Sequence, residues 1–179
     1  MPATTSTVTV GEVVDELDER LDEISRKADQ ADDPQEQQTL DQQGVRLDQR
    51  LAAFEELVAE YDRNAQFEVA ELTLDERMRF NDLLEAAREQ AEQQQAFETG
   101  PAMRDVFFTA AGVVDAPWLE GDEAMYERAA ALRSEEIGVD WRVMQYLKEQ
   151  VTEANSKGNP ERRSYAERRA ESQSRNGRN

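Results

Sequence analysis

The sequence predicts an all-α protein in which an N-terminal antiparallel helical hairpin, coiled-coil-like, precedes a small helical domain and a disordered basic tail. Three observations predict it. Apolar residues recur in steps of four and three over most of residues 10–62, as they do on a helix with one buried stripe. Proline, glycine and capping signals cut residues 67–155 into helix-length pieces. Residues 67–69, Phe-Glu-Val, alternate as a short strand or extended linker would. The expected divisions are a flexible N-terminus over 1–9, the acidic hairpin over 10–62, the helical domain over 67–155 and the tail over 156–179.

The first helix of the hairpin carries Val10, Val14, Leu17, Leu21, Ile24, Ala28 and Ala31 on one stripe, a heptad seam. Between them stand Glu12, Asp15, Glu16, Asp18, Glu19, Asp22 and Glu23, which read as a solvated outer face. Asp32-Asp33-Pro34 then stops the helix and starts another, because proline disfavours helical geometry in the residue before it and suits the first position of a new helix. The second helix repeats the seam at Leu40, Leu47, Leu51, Phe54, Val58 and Tyr61. Gly44 stands where that seam expects an apolar side chain; it marks either a close helix approach or, preferred here, a weak spot of about 1 kcal/mol relative to alanine. Two narrow stripes bury little area, so a second copy or a partner is expected to complete the hairpin. Leu17 and Leu51 are the seam residues expected to mediate that self-association.

In the helical domain, Thr73-Leu74-Asp75-Glu76 fits a capping box, so a helix is expected from Leu74, carrying Met78, Phe80, Leu83, Leu84, Ala87 and Ala91. Gly100-Pro101 is the next stop and restart. Residues 101–114 are the least polar of the chain, with Met103, Val106, Phe107, Ala110, Ala111 and Val114 on one side, and are expected to form a buried central helix. The following turn presents Trp118 and Leu119. A tryptophan there reads first as a plug closing the core, yet it is also the kind of anchor partners use, so this pair is the candidate exposed binding site. Asp122 is expected to cap a helix reaching Leu132, and Asp140 one running from Trp141 through Val151. Trp141, like Phe107, is expected in the core.

Composition excludes more than it identifies. Forty acidic against 21 basic residues give a net charge of -19, and lysines stand only at 27, 148 and 157. In ordinary water such a surface repels itself; molar salt shortens the screening length to about 3 Å and relieves it, which points to a halophilic source. The chain has neither histidine nor cysteine. Disulfides, Cys/His metal clusters and a histidine general base are therefore absent. Paired carboxylates could in principle catalyse, but no pair stands out. The expectation is no enzyme, no cofactor and no metal. No apolar stretch approaches the roughly 20 residues that span a bilayer, and MPATTSTVTV lacks a secretory pattern, so a soluble intracellular protein is expected.

After Ser156 the charge reverses. Residues 157–179 hold seven basic against three acidic side chains, whereas the preceding residues hold 14 basic and 37 acidic. With Tyr165, Ala166 and Ala170 as its apolar content, this tail is expected to be disordered alone. It can be a solvated tail, dock on an acidic surface including its own, or touch nucleic acid. The last reading is the weakest, for want of an aromatic platform and against so acidic a body.

Residues 67–80 (FEVAELTLDERMRF), 107–132 (FFTAAGVVDAPWLEGDEAMYERAAAL) and 139–151 (VDWRVMQYLKEQV) resemble the tail assembly chaperones of long-tailed viruses. Leu72, Thr73, Glu76 and Arg77 match the family's L-T-x-x-E-R helix start. Val113, Val114 and Asp115 match its V-V-D element, and Asp122 and Glu123 its acidic cap. The resemblance covers residues 67–155; the hairpin of residues 10–62 is outside it. It implies a non-enzymatic chaperone that keeps the long tape-measure protein soluble and brings tail-tube subunits to it, in the cytoplasm of a halophilic host cell, with presence in the virion as a further option. A coiled-coil scaffold or structural virion component that self-assembles through its hairpin is the alternative.

Overall fold

The computed structural model describes residues 5–93, 101–120, 124–134 and 137–156. It is mostly helical: β1 (Thr5–Thr9), α1 (Val10–Gln30), α2 (Pro34–Tyr61), β2 (Gln66–Ala70), α3 (Leu74–Gln93), α4 (Pro101–Gly112), β3 (Val113–Asp115), α5 (Met125–Leu132) and α6 (Trp141–Ser156). The tail expected after Ser156 lies outside the described residues, as does the expected cap at Asp122.

The helix boundaries follow local chemistry. Asp33 accepts a hydrogen bond from the Gln35 amide at 2.9 Å and Pro34 opens α2, as the Asp-Asp-Pro signal required. Thr73 and Glu76 close their box, each accepting from the other's amide at 3.3 and 2.7 Å. Asp140 accepts from the Arg142 amide at 2.7 Å at the start of α6. A second box, unread in the sequence, starts α1: Thr9 and Glu12 exchange bonds at 2.8 and 3.1 Å.

The stretch expected to be a flexible N-terminus is partly a strand. Thr5–Thr9, rich in β-branched residues, pairs antiparallel with β2 so that Thr5 faces Ala70 and Thr9 faces Gln66. The apolar helix expected to reach Val114 ends instead at Gly112. Val113–Asp115 forms the other edge of the sheet, with Val69 opposite Val113 and Glu68 opposite Asp115. The extra residue on β3 makes a bulge, a feature that locally bends and twists a strand.

α1 and α2 form the antiparallel hairpin, roughly 31 and 42 Å long at 1.5 Å per residue. Its base is tied to the turn after α2, where the carbonyls of Ala65 and Arg63 accept the Val10 and Gly11 amides at 2.8 Å each. Arg63 also reaches Asp15 at 2.7 Å.

The expected boundary between 10–62 and 67–155 is not a boundary of the core. Val10, Val13, Val14 and Leu17 of α1 and Ala53, Phe54 and Leu57 of α2 pack in one cluster with Phe67, Val69, Trp118, Val143, Leu147 and Val151. At its centre Phe54 meets Tyr146 edge-on at 5.1 Å and Phe67 at 6.3 Å, and Phe67 meets Trp118 at 5.7 Å. Each such ring stabilises the fold by about 1.5–3 kcal/mol through burial alone. A second cluster joins α3, α4 and α5 through Leu72, Phe80, Leu84, Phe107, Ala110 and Met125. Phe107 is core, as expected.

Candidate interaction groove

Four side chains proposed as partner contacts have other work. Leu17 is 1% exposed inside the shared cluster, and Leu51 is half-buried against it. The seam at these positions is completed by the chain's own strands and α6 rather than by a second copy. Trp118 is buried and Leu119 half-buried against the same cluster, so the loop plugs the core. Trp118 therefore takes the plug reading and not that of an exposed anchor, whereas Trp141, expected in the core, is 61% exposed. It begins α6, before the helix reaches the core at Val143, and the Arg142 guanidinium lies 5.7 Å from its ring centre.

The outer half of the hairpin is different. Here Leu21, Ile24 and Ala28 of α1 face Leu40, Gly44 and Val45 of α2 across a groove of about 460 Å³, rimmed by Asp22, Ser25, Asp41 and Asp48. All of these lining residues belong to α1 and α2. Gly44 is the cause of the gap: a β-carbon there would have Ile24 Cγ2 as its nearest neighbour, at 3.8 Å, an ordinary contact with room beyond. The glycine is therefore a weak spot and not a close helix approach. Val45, on the lip, is 58% exposed.

Arg142, next in sequence to the exposed tryptophan, reaches α2 just past the groove residue Asp48. Gln49 lies one turn beyond Val45 on α2, on the same face, and Arg142 donates to its side-chain oxygen at 3.5 Å. One position further, Arg50 and Glu149 form a two-pronged pair at 2.8 Å that pins α6 across α2.

Electrostatically the groove presents an apolar floor between carboxylates. Of the cations on α1, Lys27 pairs with Glu23 at 2.6 Å and Arg20 with Glu16 at 3.7 Å. The Lys27 contact holds the Glu23 carboxyl below its ordinary range. Hydrogen bonds from Thr9, its amide first and its hydroxyl second, do the same for Glu12. Burial pushes the Tyr146 phenol up to about 12, with Glu16 adding to the rise. Burial likewise raises Tyr61.

Such a surface suits non-covalent binding. Among the described residues, no three His, Cys, Asp or Glu side chains are grouped to hold a metal ion, and no helix is long and apolar enough to cross a membrane. Val45 and Trp141 were missed in the sequence, although Gly44 in the seam was the available signal. No protein-family model matches the chain, and neither a curated protein nor a solved structure is similar to it.

Proposed function

We propose that this chain is a non-enzymatic virus tail assembly chaperone of a halophilic host, and that the groove between α1 and α2 is where it holds an amphipathic segment of the tape-measure protein. The groove is the observation that carries this reading: an apolar floor with a missing side chain at Gly44, between Asp22, Asp41 and Asp48. A partner helix would lay its apolar stripe there, favoured where its flanks are basic. The net charge of -19 keeps the loaded complex soluble. Recruitment of tail-tube subunits, residence in the host cytoplasm and any place in the virion belong to the same proposal. A self-assembling scaffold is less favoured, because Leu17 and Leu51 are filled from within and a second copy brings the same acidic rim.

Co-expression in high salt tests this. The wild-type chain should keep a long helical tape-measure protein soluble and co-purify with it, and Gly44→Leu with Val45→Glu should weaken binding at least about tenfold. A wild-type chain that neither binds nor solubilises that partner ends the chaperone reading.

A further inference from the structure

We infer that residues 157–179 of this chain dock in the α1/α2 groove, seating Tyr165 over Gly44 and pairing Arg162 and Arg169 with the carboxylates of the rim. The groove asks for two things at once, an apolar side chain at the Gly44 gap and cations near Asp22, Asp41 and Asp48. The segment after Ser156 supplies both. It carries seven of the chain's 21 basic residues against three acidic ones, and Tyr165 is its only aromatic residue. Arg162, Tyr165, Ala166 and Arg169 are spaced i, i+3, i+4 and i+7, so a helix formed on docking would carry them on one face. A second copy fits less well, because it would bring acid against acid.

Reach decides whether the contact can form within one molecule. From Ser156 to Glu149 along α6, across the Arg50–Glu149 pair, and along α2 to Gly44 is a path of roughly 30 Å at helical rise. Six extended residues from Ser156 to Arg162 span about 20 Å, the helical step on to Tyr165 adds about 5 Å, and the tyrosine side chain covers the remainder. Docking within the molecule proceeds at a millimolar-scale effective concentration, so weak contacts suffice. The segment then acts as a resident competitor that a partner helix must displace. That regulatory consequence rests on the function proposed above; occupancy of the groove does not, and is measured without a partner.

The chain lacks cysteine, so Ser164→Cys puts a single nitroxide label beside Tyr165 in the full-length protein at 0.15 M salt. The amide signals of Asp22, Ser25, Gly44 and Val45 should lose at least about half their intensity relative to the reduced label. Mixing labelled unenriched protein with unlabelled ¹⁵N protein should leave them intact, which places the contact within one molecule. Gly44→Leu, which fills the groove, and Tyr165→Ser should each restore the signals. Asp41→Asn with Asp48→Asn should restore them in part, and circular dichroism should show all variants folded. Absent or uniform broadening, broadening that survives Gly44→Leu in a folded protein, or broadening only between molecules overturns the inference. Loss of the tape-measure complex in the co-expression test would overturn the chaperone reading alone.

Discussion

Gly112, the last residue of α4, lies directly against the side chain of Val151 on α6, so closely that a β-carbon at 112 would overlap both valine methyl groups. The contact brings the two helices together where the two core clusters meet. Gly44 is its opposite, with open space where its side chain would be. Replacing each with alanine should therefore move stability in opposite directions. Gly112→Ala should destabilise by about 1–3 kcal/mol through overpacking, and Gly44→Ala should stabilise by up to about 1 kcal/mol through helix propensity. Urea denaturation of the two variants checks both signs.

The two tryptophans should behave as unlike residues. Trp118→Ala removes a ring packed on Phe67 and should cost about 3–5 kcal/mol. Trp141→Ala, at an exposed helix start, should change stability by about 0.5 kcal/mol or less. In single-tryptophan variants, acrylamide should quench Trp141 readily and Trp118 poorly. Equal quenching would place the exposed loop reading of Trp118 back in contention.

Tyr146 links pH to stability. Its folded pKa is raised by burial to about 12 from 10.0, so the unfolded chain gives up the phenol proton first as pH rises. The stability this group contributes is complete below pH 10 and is lost between pH 10 and about 12. Wild-type protein should therefore lose stability over that window more steeply than Tyr146→Phe, as read from thermal melting temperatures at stepped pH. Parallel curves for the two proteins would remove Tyr146 from the account.

Salt should matter to the whole fold. With 37 acidic residues before residue 157, dialysis to about 10 mM salt, where screening reaches roughly 30 Å, should reduce helical circular dichroism and lower the melting temperature relative to about 2 M salt. Identical melting in the two solutions would defeat the halophile reading.

The hairpin's two stripes, its turn at Asp33-Pro34, the box at Thr73, the cap at Asp140 and the gap at Gly44 were legible in the sequence because each is set by residues within a turn or two of one another. What covers a stripe is not local. β1 finds its partner more than 60 residues away, from Thr5 to Ala70, and nothing near Thr5 announces it. Leu17 and Leu51 read as an open seam for a second copy, yet Val143, Leu147 and Val151 close that end from the far side of the chain. Trp118 and Trp141 have equal apolar appetite; α6 crosses α2 so that its core face begins at Val143, which leaves one ring outside and brings the other beneath Phe67. The sequence by itself determined the helices and the acidic surface, through periodicity, capping and charge. Only the tertiary packing decided which apolar residues are spent on the core and left the Gly44 groove as a part of the hairpin that the other described elements do not cover, because burial depends on which elements meet and not on the residues that flank each position.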